Sequence, residues 1–104
     1  MINKKANLNI SLVQTALKNY HDRIGKETMP HHYINEVRLI RYAMTGDFKT
    51  AFDFINLSRE QQRVLRRIIC MDCRLIKLHV DYKLRKQACR ELVIKQSEKT
   101  NSNT

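Results

Sequence analysis

The sequence predicts a mainly α-helical protein of four to five short helices, with one β-strand that pairs across a homodimer. Two observations predict the helices: apolar residues recur at steps of three and four, and Gly, Pro or Ser marks the ends of these stretches. A third observation, one stretch that alternates between apolar and polar residues, predicts the strand. The 104 residues are expected to form a single helical domain over residues 1–96. A disordered tail without apolar residues is expected over 97–104.

The first helix is predicted over residues 11–24. Its apolar residues are spaced by three or four, and Gly25 suits the left-handed position that follows many helix ends. A competing interpretation places a short strand over residues 8–12, where apolar and polar residues alternate.

A second helix is predicted to begin near Thr28 and Pro30 and to end at Gly46. Proline suits a first helical turn because it has no backbone N–H to lose there. Asp47 is then expected to provide the N-cap of a short third helix. The apolar side of that third helix consists of Phe48, Ala51, Phe52 and Ile55.

A fourth helix is predicted to start at Ser58, because Ser58 and Gln61 match the capping-box pattern, and to end near Cys73. At about 100° per residue, this helix has two contrasting sides. The apolar side contains Val64, Leu65, Ile68 and Leu75. The basic side contains Arg59, Arg63, Arg66, Arg67 and Arg74.

Residues 76–84 alternate between apolar and polar side chains without interruption, which predicts a strand. A lone strand leaves its backbone groups unpaired, so we expect it to pair with the same strand of a second molecule. The expected dimer-interface residues are Ile76, Leu78, Val80 and Tyr82. A last helix over residues 84–95 is expected to turn Leu84, Ala88 and Leu92 inward.

The chain contains 20 Lys and Arg residues against 10 Asp and Glu residues, a formal net charge of +10. This excess attracts polyanions, and nucleic acid is the first candidate partner. We expect basic side chains of the fourth helix and beyond to contact DNA phosphates or guanine edges. The expected DNA-binding residues are Arg59, Arg63, Arg66, Arg67, Arg74, Lys77, Lys83, Lys86 and Arg90. The alternative interpretation is a solvated helix face, which Glu60 and Asp72 would partly neutralise.

Several classes of protein are excluded by the composition. The two isolated glycines cannot form a phosphate-binding loop, and no nucleophile or paired-carboxylate pattern indicates an enzyme or a cofactor site. The first 13 residues have no continuous apolar stretch, and no segment reaches the roughly 20 apolar residues of a membrane span. An odd number of cysteines fits a reducing compartment. We therefore expect a cytoplasmic protein without membrane contact.

Cys70 and Cys73 have the spacing of a metal knuckle or of a redox pair. A zinc site would also need His79 and Cys89, but the resulting spacing is unusual and no glycine turn accompanies it. We therefore expect no metal site. Cys70 falls on the basic side of its helix, where cations would favour the thiolate, although a small filler residue is the simpler interpretation.

Three groups of residues fit a known pattern: Gly46-Asp-Phe-Lys-Thr-Ala51, then Leu57-Ser58-x-x-Gln61-x-x-x-Leu65, and finally Cys73 followed by Lys77-Leu-His-Val-Asp81. Residues 43–82 thereby resemble the FlhD-type subunit of the flagellar master regulator. Residues 44–73 resemble the PerC-like bacterial regulators more loosely.

The FlhD-type resemblance implies a non-enzymatic subunit of a transcriptional activator. Such a subunit dimerises, joins a larger C-type partner that carries a zinc site, binds promoter DNA and contacts RNA polymerase. Divergent pairs of this kind also occur on plasmids and integrative elements. The resemblance further implies a disulfide between protomers, with Cys73 as the nearest position and Cys70 as the other. An alternative function remains open: a phage or mobile-element adaptor or inhibitor whose basic face binds an acidic protein.

Overall fold

A computed structural model describes residues 4–47 and 52–102, and these residues form four helices. The helices are α1 (Lys4–Arg23), α2 (Pro30–Thr45), α3 (Arg59–Lys77) and α4 (Tyr82–Ser102). The mainly helical prediction is confirmed. The predicted strand is wrong, since no strand occurs in the described residues. None of these four helices combines the length and the apolar character that a bilayer crossing requires.

Helix α3 packs against all three other helices. Helices α1 and α4 lie against α3, and their described residues do not contact each other, whereas α2 packs mainly against α4. One apolar core joins the four helices. It consists of Val13, Ala16 and Leu17 from α1, Leu39, Ile40 and Ala43 from α2, Leu65, Ile68, Ile69 and Ile76 from α3, and Cys89 from α4.

The predicted start and end of α2 are confirmed. Pro30 is its first residue, and Gly46 follows its end in the left-handed conformation with a φ of 78°. The Gly46 N–H donates to the Tyr42 carbonyl at 2.7 Å. Arg90 of α4 adds a second contact, because its Nη1 donates to the Ala43 carbonyl at 2.9 Å. A cation at this position complements the partial negative charge of the helix C-terminus.

The predicted capping box at the start of α3 is also confirmed. The Ser58 Oγ accepts a hydrogen bond from the Gln61 backbone N–H at 3.1 Å. In return, the Gln61 Oε1 accepts one from the Ser58 backbone N–H at 3.0 Å. These bonds satisfy two donors that the helix start would otherwise leave unpaired.

The residues predicted as a strand form the end of one helix, a tight turn and the start of the next helix. His79 has a φ of 63°, its N–H donates to the Ile76 carbonyl, and the Val80 N–H donates to the Leu75 carbonyl at 3.0 Å. This pair of bonds is a Schellman motif, which normally uses glycine at the left-handed position. The sequence prediction failed because a histidine occupies that position and no glycine marks the helix end.

Asp81 explains why α4 begins where it does. Its Oδ1 accepts a hydrogen bond from the Leu84 backbone N–H at 2.9 Å, and its carbonyl accepts one from the Arg85 N–H. Asp81 is therefore the N-cap of α4. The alternating pattern of residues 76–84 reflects two helix ends that meet, each with its own buried side.

The expected strand-to-strand dimer interface has no structural basis in this region. Ile76 is only 2% exposed, within the core of its own chain. The Tyr82 hydroxyl donates to the Asn35 carbonyl of α2 at 3.1 Å. Val80 is half-buried, whereas Leu78 is 65% exposed. A homodimer would need an interface other than strand pairing.

The predicted third helix falls partly on residues 48–51, which lie outside the described residues. Residues 52–58 are described, and they are not helical. The Asp53 carboxylate accepts hydrogen bonds from the backbone N–H groups of Ile55 and Asn56, at 2.8 and 3.3 Å. This local bonding favours a turn over a helix.

The two outer helices are longer than predicted. Helix α1 begins at Lys4, so residues 8–12 are helical and the competing strand interpretation is wrong. Helix α4 begins at Tyr82 and reaches Ser102, so its backbone is helical through much of the segment where a tail was predicted. Its inward side also differs from the prediction, because Leu84 is 56% exposed while Arg85 and Cys89 are buried.

Candidate nucleic-acid interface

The outer side of α3 presents a continuous row of cations, which we call the basic face. Its six members are all exposed: Arg59, Arg63, Arg66, Arg67, Arg74 and Lys77. At about 1.5 Å and 100° per residue, they extend over about 27 Å along the helix and within an arc of about 100°. The buried residues of α3 lie on the opposite side. The capped start of the helix and its packing on three neighbours hold this face toward solvent.

Helix α3 itself brings little negative charge to the basic face. Helix α3 contains two acidic residues, Glu60 and Asp72. The Glu60 carboxylate lies 3.8 Å from the Arg63 guanidinium, and both side chains are more than 60% exposed. Such a pair is weak because water and salt screen it. Asp72 is completely buried on the other side of α3. Asp72 therefore does not neutralise the arginines, contrary to the alternative interpretation of a partly neutralised helix face.

Asp72 belongs to a buried cluster of charged residues that joins three helices. Arg85 of α4 donates through Nη1 to the Asp72 Oδ1 at 2.9 Å and through Nη2 to the Glu36 Oε2 of α2 at 3.1 Å. Its Nη1 also lies 2.5 Å from the Glu36 Oε1, and its Nε donates to the Val80 carbonyl at 3.1 Å. The exposed fractions are 2% for Glu36, 0% for Asp72 and 6% for Arg85. Each of α2, α3 and α4 contributes one member.

One cation cannot neutralise two buried carboxylates, so the cluster favours binding of a proton. Burial raises the pKa of Asp72 from its ordinary value of 3.8 to about 8, and a hydrogen bond with Glu36 and repulsion from its charge act in the same direction. The buried Oδ2 of Asp72 receives no hydrogen bond from a donor in the described chain. When it is protonated, it can donate to Glu36 instead. The cluster is closed to solvent, and its geometry is that of a structural link.

Two open grooves flank the basic face. The α1–α3 groove has a volume of about 490 Å³ and joins the apolar side chains of Leu12 and Ile69 to the cations Arg74 and Lys77. The α3–α4 groove has a volume of about 520 Å³ and includes Arg66, Arg67 and Arg74 beside apolar residues. Cys70 lines both grooves, so it lies on the ridge between them. The basic face is therefore a ridge with depressions on both sides.

The three predicted DNA-binding residues of α4 have different surroundings. Lys83 is exposed. The Lys86 ammonium lies over the Tyr42 ring, 5.4 Å from its centre, and its side chain is half-buried. The Arg90 guanidinium packs beside Gly46 and donates to the end of α2. Lys86 and Arg90 thus both contact α2 within the chain.

All three cysteines are free thiols in the described residues. Burial raises the pKa of Cys73 to about 11 and that of Cys89 to about 12, so both remain protonated at neutral pH. Cys70 is exposed. The described residues contain no group of three or more His, Cys, Asp or Glu side chains arranged to hold a metal ion.

The buried cluster was missed by the sequence prediction, although one signal for it was present. Asp72 is placed four residues after Ile68 and four before Ile76, in the middle of the apolar side of α3. An acidic residue in that position must be buried, so it needs a cation from elsewhere in the fold. The identity of that cation, Arg85, depends on the turn that was predicted as a strand.

The likeness of residues 43–82 to FlhD-type subunits is a prediction from sequence alone. The last group of that pattern, Lys77 to Asp81, was predicted as part of a strand and instead forms the end of α3 and the turn before α4. Comparisons with family models, with curated proteins and with solved structures found nothing that matches this chain.

Proposed function

We propose that this protein binds duplex DNA through the basic face of α3, as a small subunit of a transcriptional regulator. Six cations on one exposed side of α3 support this proposal most directly. Of the two carboxylates in α3, Glu60 is exposed and Asp72 is buried on the opposite side. The positive charge is therefore available to an external partner.

The dimensions of the basic face suit a DNA groove. The major groove is about 12 Å wide and admits one α-helix. A row of about 27 Å is a little shorter than one turn of B-DNA, which rises about 34 Å. Arginine forks bind phosphate oxygens or the O6 and N7 atoms of guanine in a bidentate manner. The ridge shape, with a groove on each side, lets α3 approach DNA ahead of α1 and α4.

The test is a gel shift with duplex DNA over a series of salt concentrations. The chain should bind with a steep salt dependence, because each phosphate contact adds about 0.9 to the slope of log K against log salt. The double variant Arg63→Glu/Arg67→Glu should weaken binding and flatten the slope by about two units. The matched control is Lys26→Glu/Lys95→Glu, which changes the net charge equally at exposed sites outside α3. Equal losses in both variants would contradict a specific role for the basic face.

The subunit part of the proposal rests on the FlhD-type resemblance. It includes a homodimer, a larger zinc-containing C-type partner, promoter activation and contact with RNA polymerase. An adjacent reading frame with a four-cysteine zinc pattern would identify the partner. DNA binding only after this partner is added would support the subunit role and contradict direct binding by the chain alone.

The alternative function is an adaptor or inhibitor that binds an acidic protein. The α1–α3 groove favours it, because Leu12 is 55% exposed there beside Arg74 and Lys77. An apolar floor with a basic rim suits an amphipathic acidic segment better than a phosphate backbone. Absence of DNA binding both with and without the C-type partner would favour this function.

A further inference from the structure

A second basic site lies between α1 and α2, away from the proposed DNA-binding surface. This α1–α2 groove has a volume of about 340 Å³, within the range of small-molecule sites. It is lined by Gln14, Tyr33, Ile34, Val37, Arg38 and Arg41. Among the described residues, none of α3 or α4 contributes to it, and none of α2 lines the grooves beside the basic face.

The two arginines of this groove are neighbours without a negative partner. Arg38 and Arg41 are three positions apart on α2, a spacing that brings side chains to the same side of a helix. Like charges at this spacing repel each other. None of the described residues that line the groove is acidic, and neither guanidinium forms an ion pair in the described chain.

Arg41 also has a buried donor that lacks an acceptor. Its Nε is inaccessible to solvent and forms no hydrogen bond with any described residue. A buried donor without an acceptor destabilises the structure, because it has lost its hydrogen bond to water. Since this Nε is closed to solvent, an anion in the groove reaches Arg41 through its Nη groups, where it would offset the repulsion from Arg38.

We propose that the α1–α2 groove binds the phosphate monoester group of a small molecule that has an apolar body. Two guanidinium groups match the charge of about −1.5 to −2 that a phosphate monoester carries at neutral pH. Phosphate oxygens can accept hydrogen bonds from the Nη groups of both arginines, and the Gln14 amide and the Tyr33 hydroxyl can donate to the remaining oxygens. Ile34, which is 52% exposed, and Val37 offer an apolar surface to the rest of the ligand.

This site is independent of the proposed DNA-binding function. A carboxylate carries half the charge, so it would leave one guanidinium unbalanced. Inorganic phosphate has the charge but lacks a body to contact Ile34 and Val37. Phenyl phosphate has both properties and is the appropriate probe.

The test is a titration of the ¹⁵N-labelled full chain with phenyl phosphate, followed by NMR at the arginine Nε–H groups and the backbone amides. The Arg41 Nε–H should shift and saturate, with a dissociation constant on the order of 1 mM for so small a ligand. Inorganic phosphate and benzoate should bind several-fold more weakly. The variants Arg38→Met and Arg41→Met should each lower the affinity about tenfold. The matched control Arg63→Met, which removes an exposed arginine of α3, should leave it unchanged.

Three results would overturn the proposal. One is an Arg41 Nε–H that does not respond to phenyl phosphate. Another is an equal loss of affinity in Arg41→Met and Arg63→Met, which would indicate general attraction to a basic protein. The third is benzoate binding at least as tightly as phenyl phosphate. The exposed Arg38 keeps the test decisive if Arg41→Met does not fold, and circular dichroism establishes folding for each variant.

Discussion

The burial of Asp72 affects the electrostatics of both the core and the surface of α3. Its carboxyl group lies inside the protein with Glu36 and Arg85, so it does not offset the positive charge of the arginines on the outer side of α3. The same burial leaves two carboxyl groups sharing one guanidinium, which favours a bound proton. The electrostatics of the core and of the surface are therefore decided by the same side chain.

The shared proton predicts a stability that depends on pH. The pKa of Asp72 is raised from 3.8 to about 8 in the folded chain, so folding takes up a proton between these values. The stabilisation from Asp72 is fully present below about pH 4 and is lost as the pH rises through about 8. Urea unfolding at pH 5, 7 and 9 should show a falling free energy of unfolding.

Asp72→Asn isolates this effect. An amide can still accept from Arg85 and donate to Glu36, but it binds no proton, so the decline with pH should become shallower. Asp22→Asn, at an exposed residue of α1, should keep the slope of the original chain. The same slope in all three proteins would contradict the assignment of the proton to Asp72.

At the scale of the helices, two Schellman motifs end α1 and α3. After α1, the Gly25 N–H donates to the Asp22 carbonyl and the Lys26 N–H donates to the His21 carbonyl, at 3.3 and 2.8 Å. After α3, His79 takes the position that Gly25 takes after α1. Helix α2 has a third left-handed end at Gly46. Three of the four helices thus end in the same backbone conformation.

Gly46→Ala should lower the free energy of unfolding more than Gly25→Ala does. Both residues have a positive φ, of 73° and 78°, so an added Cβ costs about 1–2 kcal/mol in either case. Nothing lies within 4 Å of a Cβ at Gly25, whereas at Gly46 it would lie 2.8 Å from the Arg90 Nη2. Moving Arg90 breaks its bond to the Ala43 carbonyl, which adds about 1 kcal/mol. Chemical denaturation should give a lower free energy of unfolding for Gly46→Ala than for Gly25→Ala. Equal values for the two variants would contradict a capping role for Arg90.

Local signals account for what could be predicted of the helices. Pro30, Gly46 and the Ser58–Gln61 pair act within one turn of chain, and the ends that they predicted are confirmed. The strand was predicted from alternation because nothing local distinguishes His79 from an ordinary strand residue. Its left-handed conformation is accompanied by a packing contact, an edge-on approach to the Tyr20 ring of α1 at 4.9 Å. Such a contact between distant residues has no signature in a single sequence.

At the scale of the whole molecule, the exposure of the basic face was more predictable than the packing of the helices around it. The five arginines of the basic face were expected from helical spacing, Lys77 was expected beyond the end of that helix, and all six are exposed. The parts that involve several helices could not be predicted. The cluster around Arg85 and the capping by Arg90 both depend on the placement of α4, which follows from the α3–α4 turn.

The proposed homodimer belongs to this scale, and it needs an interface other than strand pairing. Leu78 and Leu84 flank the α3–α4 turn and are 65% and 56% exposed, so they provide an apolar surface for a second copy. Sedimentation equilibrium at micromolar concentration should give about twice the chain mass of 12.4 kDa. Leu78→Glu should shift the protein toward monomer, while Lys95→Glu, on the exposed side of α4, should not.

A monomer in the original chain at that concentration would contradict the dimer. The proposed disulfide between protomers has its own test on a non-reducing gel. A covalent dimer should form on oxidation and disappear in Cys73→Ser or in Cys70→Ser, whichever residue forms the bond. Persistence of the covalent dimer in both single variants would contradict a symmetric bridge through one of these residues.

The position of Cys70 on the ridge of α3 makes it a natural site for attaching a fluorescent dye. Cys73 and Cys89 are held as thiols by their burial, so a maleimide dye added at neutral pH should react selectively at Cys70. The dye would then sit among Arg66, Arg67 and Arg74, where an approaching partner must change its fluorescence. The chain can therefore be labelled at the surface of interest without any substitution, and small dyes can map how closely DNA or an acidic protein approaches α3.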